Sequence, residues 1–233
     1  MTEKQPLKWH NEVLTVYNDD CMNIMAGYPD GYFDLAIVDT PYGIKADKKN
    51  STSKKQSKKS ATASQDYGNQ EWDNEVPPIE YFKELMRISR HQIMWGVNYY
   101  PYNLFAEGRI YWDKKVTMPT YSDGELAYCS KLNSIKTFEF AWHGMIQGDM
   151  SNKEKRIHPT QKPIRLYSWL YENFAKPNYK VIDTHLGSGS NAIAAHYYLT
   201  GEGAEFVGTE IDNDYYNASI KRIAEETRQL KLF

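Results

Sequence analysis

The chain has 233 residues, a formal net charge of −2, 41% hydrophobic and 25% charged residues. Such a composition suits one globular domain with a sizeable core. The charge balance counts against a protein that coats nucleic acid by bulk positive charge and leaves room for a local basic surface. No apolar run is long enough to cross a bilayer. Cys21 and Cys129 form neither a disulfide framework nor a metal knuckle. The polar start MTEKQPLKWH holds no secretory core segment. A reduced, cytoplasmic protein without membrane or metal partners is therefore expected.

In chain order, EVLTVYNDD reads as a short strand running into a polar turn. FDLAIVD, residues 33–39, is a continuous apolar run that reads as a strand buried on both faces. After Ile44 the composition changes abruptly. The 45–75 segment begins with Lys45, Lys48, Lys49, Lys54, Lys55, Lys58 and Lys59 and holds almost nothing apolar, so a mobile Lys/Ser-rich loop is expected there. PPIEYFKELMRISR predicts a helix with proline at its start and basic residues at its end. HQIMWGV, RIYWDK, ELAYCSK and KTFEFAW read as strands, and QGDMSNKEKRIHPTQKP as a second polar stretch. PIRLYSWLYENFA predicts an amphipathic helix with Tyr167, Leu170, Tyr171 and Phe174 on one face.

The last third alternates strand and helix. YKVID, a glycine-rich turn and NAIAAHYYL are followed by the strand AEFVGTEID and the helix DNDYYNASIKRIAEETRQL. Alternation of this kind predicts an α/β protein with a mostly parallel sheet covered by helices on both faces. The 1–233 chain reads as a single domain.

Two short constellations carry chemistry. Asp183 ends a strand and is followed by Gly187, Ser188, Gly189 and Ser190, and Glu210 ends the next strand. Glycines let backbone approach a ligand, a helix N-terminus offers N–H groups, and a following acidic residue can grip a ribose. The turn lacks both the dinucleotide spacing and a phosphate-loop lysine, and Asp183 would repel a pyrophosphate. A ligand with a positive amino group, such as S-adenosylmethionine, suits it better. A tight turn without a ligand is the alternative.

The second constellation is Asp39, Thr40, Pro41 and Tyr42 at the mouth of the other buried strand. Ligands of parallel sheets lie outside the carboxyl ends of the strands, so Asp39 and Asp183 can face one crevice. The lone pair of a base's exocyclic amine is delocalised into the ring. A carboxylate and a backbone carbonyl accepting its two N–H bonds would free that pair. Pro41 holds Thr40 extended, with its carbonyl as the second acceptor, and Tyr42 offers a face for a flipped base. A capped turn with packed Pro and Tyr is the bland reading.

These residues resemble the amino-group DNA methyltransferases. DTPY resembles their D-P-P-Y tetrapeptide, with Thr40 where the family usually has proline. HPTQKP followed by a helix and VIDTHLGSGS resembles their cofactor block, and NDDC ahead of FDLAIVDTPYGI resembles their N-terminal entry. The tetrapeptide precedes the glycine turn, which resembles the circularly permuted β group. The resemblance implies a Rossmann-like methyltransferase fold and S-adenosylmethionine as cofactor. It assigns the target base to Asp39, Thr40, Pro41 and Tyr42. It assigns the cofactor to Asp183, Gly187, Ser188, Gly189 and Glu210, its adenine to Asp20 and Cys21, and its carboxylate to Thr160, Gln161 and Lys162. Lys45, Lys48, Lys49, Lys54, Lys55, Lys114 and Lys115 are expected on double-stranded DNA. The region of about 114–156 is expected to form a small target-recognition insert. Relatives of this group often pair as homodimers. Adenine N6 is the expected target, because related enzymes with serine in place of the first Asp more often act on cytosine N4. A non-catalytic DNA- or cofactor-binding module and a glutamine-amide methyltransferase are the remaining readings. The glutamine-amide enzymes usually have the reverse motif order.

Overall fold

The computed structural model describes residues 7–44, 75–116, 122–143 and 145–228. Lys45, Lys48, Lys49, Lys54, Lys55 and most of the expected 45–75 loop lie outside them. A nine-stranded sheet runs in the order β1-β2-β11-β10-β3-β4-β6-β5-β7. In chain order its strands are β1 (Leu7–His10), β2 (Leu14–Asn18), β3 (Phe33–Val38), β4 (Ser89–Trp95), β5 (Arg109–Asp113), β6 (Gly124–Cys129), β7 (Ile135–Glu139), β10 (Lys180–Asp183) and β11 (Glu205–Thr209). The helices are α1 (Cys21–Ala26), α2 (Ile79–Ile88), α3 (Ile164–Phe174), α4 (Ser190–Tyr198) and α5 (Asn213–Arg228). A two-stranded hairpin, β8 (Trp142–His143) with β9 (Ile146–Gln147), stands apart.

The central strands β2, β11, β10, β3 and β4 are mutually parallel, and β6 enters antiparallel between β4 and β5. FDLAIV is apolar without alternation because both of its faces are covered. Leu35 and Ile37 pack with α3, α4 and α5, while Ala36 and Val38 pack with α1 and α2. The predicted face of α3 is buried through Tyr167, Leu170, Tyr171 and Phe174.

Three local expectations change. Ser89 and Arg90, read as the end of a helix, begin β4, because α2 stops at Ile88. A polar N-terminal stretch supplies the edge strand β1, whose cross-strand partners override its weak propensity. The expected 114–156 insert contributes β6 and β7 to the main sheet. The β8–β9 hairpin stands outside that sheet.

The glycine turn is set by sterics. Gly189 caps α4 with φ of 75°, and a Cβ there would come 2.9 Å from two side-chain carbons of Ile223 on α5. Gly203 has φ of 77° with nothing within 4 Å of such a Cβ. Both positions resist an L side chain through backbone strain of about 1–2 kcal/mol, and only Gly189 adds a clash with core. Gly189→Ala should therefore lower stability by about 2 kcal/mol or more, a fall in Tm of at least about 4 °C. Gly203→Ala should cost about half as much. Equal losses in thermal melting would show that Ile223 exerts no constraint on the turn.

Candidate active site

Parallel pairing sets Val181 against Leu35 and Ile182 against Ala36, so β10 and β3 end side by side. β11 pairs with β10 on its other edge, ending at Thr209. Asp39, Asp183 and Glu210 therefore stand along one rim of the sheet, where the strand order reverses. A cleft of about 770 Å³ opens there, lined by residues 39–42 and 158–162, by Gly187, Ser188 and Glu210, and by Tyr99, Lys114 and Glu125. That volume lies in the upper part of the range for small-molecule sites.

One half of the cleft is built around the glycine turn. Asp183 is 1% exposed. One of its carboxylate oxygens accepts from the His185 N–H at 3.1 Å, the other from Asn191 Nδ2 at 2.9 Å. Burial pushes Asp183 up to about 7, helped by Asp39 and Glu210 and opposed by its hydrogen bonds. Glu210 accepts from the backbone N–H groups of Gly187 at 2.8 Å and Asp212 at 3.0 Å, and burial raises its pKa as well. Buried Arg222 holds the turn from α5. Its Nη1 donates to the Ser188 carbonyl and to Ser190 Oγ at 2.9 Å, and its Nη2 pairs with Glu154 at 2.7 Å. Gly187, with φ of 53°, faces His158, and a Cβ there would meet nothing closer than 3.9 Å. Asp183 and Glu210, both raised chiefly by burial, fit a cationic ligand.

The other half is a buried charge network. Asp39 Oδ1 lies 2.6 Å from Lys162 Nζ and accepts from the Tyr42 hydroxyl at 2.6 Å. Lys162 Nζ also contacts Glu125 Oε2 at 2.9 Å and the Tyr42 hydroxyl oxygen at 3.0 Å. Lys114 closes on the second oxygen of Glu125. Burial pushes Asp39 up, Lys162 pulls it back and Glu125 pushes it up again, for a raised value overall. Burial acts on Glu125 in the same sense, but Lys162 and Lys114 more than reverse it and hold it down at about 2. The Tyr42 ring stacks on Tyr99, with centroids 5.1 Å apart and planes 15° apart.

The structure thus brings Asp39, Thr40, Pro41, Tyr42, Thr160, Gln161, Lys162, Gly187, Ser188 and Glu210 to one cleft. Several stand differently from expectation. The Lys162 ammonium pairs with Asp39 and Glu125. Gln161 uses its side chain on its own loop, accepting from the Ile157 N–H and donating to the Lys155 carbonyl. Asp20 is exposed and caps α1, and neither it nor Cys21 lines the cleft. Asp183 and Gly189 sit behind the lining and shape it. Lys114 lines the cleft with its charge paired, and Lys115 is neutralised by Asp113 at 2.9 Å and Glu139 at 2.8 Å, which weakens its claim on a phosphate. Tyr99, in the turn after β4, also lines the cleft.

Glu125, Asn191 and Arg222 were not singled out from the sequence. Nothing in ELAYCSK marks Glu125. Asn191, a lone polar residue opening the apolar NAIAAHYYL, and Arg222, on the buried face of α5 with Tyr215, Ser219 and Ile223, were visible as polar groups at core positions. Among the described residues no group of three or more His, Cys, Asp or Glu could hold a metal, and no helix is long and apolar enough to cross a membrane.

The family described as DNA methylase, of the N6/N4 type, matches residues 92–221, more than half of the chain. Type II methyltransferase M2.MboI of Moraxella bovis is 22% identical, covering 94% of this chain and 90% of that protein. Type II methyltransferase M.HinfI of Haemophilus influenzae is 22% identical over 91% of this chain and 68% of that protein. The protein YubD of Escherichia coli is 36% identical over 76 residues, and the matched segment spans 33% of this chain and about a third of that relative's length. Among solved structures, the cytosine-N4-specific PvuII DNA methyltransferase superposes with a TM-score of 0.59 at 13% identity, covering 97% of this chain and 95% of that one. The M1.HpyAVI–SAM complex superposes with a TM-score of 0.54 at 18% identity, covering 90% of this chain and 99% of that one. These likenesses show the Rossmann-like α/β methyltransferase fold.

The raised Asp183 gives a pH test of the folded protein. An unfolded aspartate is ionised above about 4, whereas folded Asp183 holds its proton to about 7. In that window the folded state binds more protons, so this group's contribution to stability is full below pH 4 and is lost as pH rises to 7. Asp183→Asn cannot titrate, and its amide must oppose either the His185 N–H or the Asn191 amide. It should carry a constant penalty from the mismatched hydrogen bond. Its stability relative to wild type should rise between pH 4.5 and 7.5, by at most about 4 kcal/mol. Denaturant unfolding at both pH values checks this, and parallel wild-type and variant curves would count against a raised Asp183.

Proposed function

The chain belongs to the DNA methylase family that acts on amino nitrogens, and on that premise we propose that it methylates the exocyclic N6 of an adenine flipped out of duplex DNA. The observation that carries this reading is Asp39 at the carboxyl end of β3, in the same cleft as the glycine turn after β10. S-adenosylmethionine, the cofactor of this family, supplies a sulfonium-bound methyl group when bound. The residues present fit it. Asp183 and Glu210, both raised by burial and without a cation beside them among the described residues, suit a cation, and a Cβ at Gly187 would meet nothing closer than 3.9 Å.

Asp39 Oδ1 already takes Tyr42 and Lys162. Oδ2 is the oxygen with which the carboxylate would accept an amine N–H, and the Thr40 carbonyl would accept the other. Accepting both bonds draws the nitrogen toward a pyramidal geometry and frees its lone pair. Burial raises Asp39, so Oδ2 is also a suitable acceptor for the proton that the methylated nitrogen sheds. Alignment and electrostatics supply the catalysis. A cysteine nucleophile does not enter. Burial pushes Cys21 up to about 12 and raises Cys129 too, so both thiols stay protonated.

An extrahelical base needs a face. The face of Tyr42 held by Tyr99 is a stack between aromatic side chains, worth about 0.5–1.5 kcal/mol, whereas base–aromatic stacking is worth about 1–3 kcal/mol. A base can therefore compete for it. Cytosine N4 is the second reading, because the same acceptor pair serves that amine. The acidic first residue of the tetrapeptide supports adenine.

Incubation with labelled S-adenosylmethionine and mixed-sequence duplex DNA, followed by nucleoside analysis, should yield N6-methyladenine. N4-methylcytosine would overturn the adenine assignment, and unlabelled DNA would overturn the reading as a whole. Asp39→Ala should lower methyl transfer by at least about 1,000-fold while cofactor affinity stays within about threefold. Loss of cofactor binding in that variant would instead place Asp39 in the cofactor pocket.

A further inference from the structure

The second position of the catalytic turn is held in an unusual way. Thr40 is 2% exposed, and its Oγ1 lies 2.7 Å from the Tyr100 hydroxyl. The Tyr100 hydroxyl in turn contacts the Trp95 carbonyl. A carbonyl has no hydrogen to give, so Tyr100 donates to it and has no second proton. Thr40 is therefore the donor to Tyr100, and the direction of the relay is fixed as Thr40 O–H to Tyr100 O–H to Trp95 C=O. Burial raises the Tyr100 pKa, so the phenol remains protonated and the relay intact.

Trp95 is the last residue of β4, next to β3 in the sheet. Gly96 follows with φ of 78°, and a Cβ on it would fall 2.1 Å from the Tyr42 ring. Residues 39–42 are thus tied to the end of β4 twice, by the relay at Thr40 and by ring-on-backbone packing at Tyr42. Among the described residues no hydrogen bond runs from the Thr40 N–H, so a proline ring there would remove none.

We propose that the Thr40–Tyr100–Trp95 relay does in this chain what a proline ring at position 40 would do. It holds the turn so that the Thr40 carbonyl faces the amine to be methylated, with Tyr100 as a positioning residue that touches neither substrate nor cofactor. This rests on the methyl-transfer reading above. Tyr100→Phe removes the proton that reaches Trp95 and the oxygen that receives Thr40, yet keeps the ring packed against Phe82 and Phe105.

Steady-state kinetics on wild type, Tyr100→Phe, Thr40→Pro and the double variant, with S-adenosylmethionine and DNA, test the proposal. Tyr100→Phe should lower kcat roughly 10–100-fold with KM for S-adenosylmethionine within about twofold, as a misplaced reacting group would. In the Tyr100→Phe background Thr40→Pro should restore kcat to within about threefold of Thr40→Pro alone, because a proline ring then holds the turn without the relay. A Tyr100→Phe enzyme with unchanged kcat, or a double variant as slow as Tyr100→Phe, overturns the relay. A thermal-melting cycle of Thr40→Val and Tyr100→Phe reads the contact without turnover. Non-additive losses support the relay and additive losses overturn it. An inactive wild type with a non-additive cycle would overturn the methyl-transfer reading and keep the relay as the lock on this turn. An active wild type with an additive cycle would overturn the relay alone.

Discussion

The site depends on the parallel pairing of β3 with β10. These strands are far apart in the chain; β10 ends in Asp183, and Asp39 follows the last residue of β3. A parallel register puts both carboxyl ends on one edge, and an antiparallel one would have put them on opposite edges. Asn191 fastens the pair beyond the last ladder bonds. Its Nδ2 donates to the Ile37 carbonyl at 3.1 Å and to Asp183 Oδ2 at 2.9 Å, while its Oδ1 accepts from the Tyr171 hydroxyl at 2.9 Å. One buried amide at the start of α4 thus joins the strand leading to Asp39, the carboxylate behind the glycine turn, and the helix α3 that follows HPTQKP. The distance between the two halves of the cleft is therefore a property of the core rather than of loops.

What the sequence shows of this arrangement follows from how local its causes are. The buried strand FDLAIV is legible because burial on both faces writes a continuous apolar run. The glycine turn is legible because positive φ at Gly187 and Gly189 favours the one residue type without a Cβ. That Asp39, Asp183 and Glu210 share a rim is legible because parallel α/β topology leaves few other places for strand ends. Side-chain partners chosen across the fold are not legible. Lys162 sits within the HPTQKP signature, yet its ammonium goes to Asp39 and to Glu125, a strand residue in a stretch with no signal of its own. Tyr99 and Tyr100 are neighbours in one aromatic run, and a one-residue difference sends the first to the cleft and the second to the core. The order β4-β6-β5 arises from an antiparallel strand slipping between two others, which no local pattern encodes.

The electrostatics of the two halves differ in a way that matches what each half would hold. Around Glu125 two lysines meet two carboxylates, so charge on the substrate side is balanced within the protein. Removing Lys162 alone would leave Asp39 and Glu125 together without it, the kind of change that costs about 3–5 kcal/mol when a buried pair is broken. On the other side Asp183 and Glu210 have no cation beside them among the described residues. They are held by backbone N–H groups and one amide, and both are raised. A neutral amine needs an acceptor whose charge is already tamed, because a bare carboxylate in so dry a place would simply take a proton. A cationic ligand needs the reverse, carboxylates whose missing counter-charge is the ligand itself. The same fold meets both requirements a few residues apart by giving one rim of the cleft its own lysines and withholding them from the other.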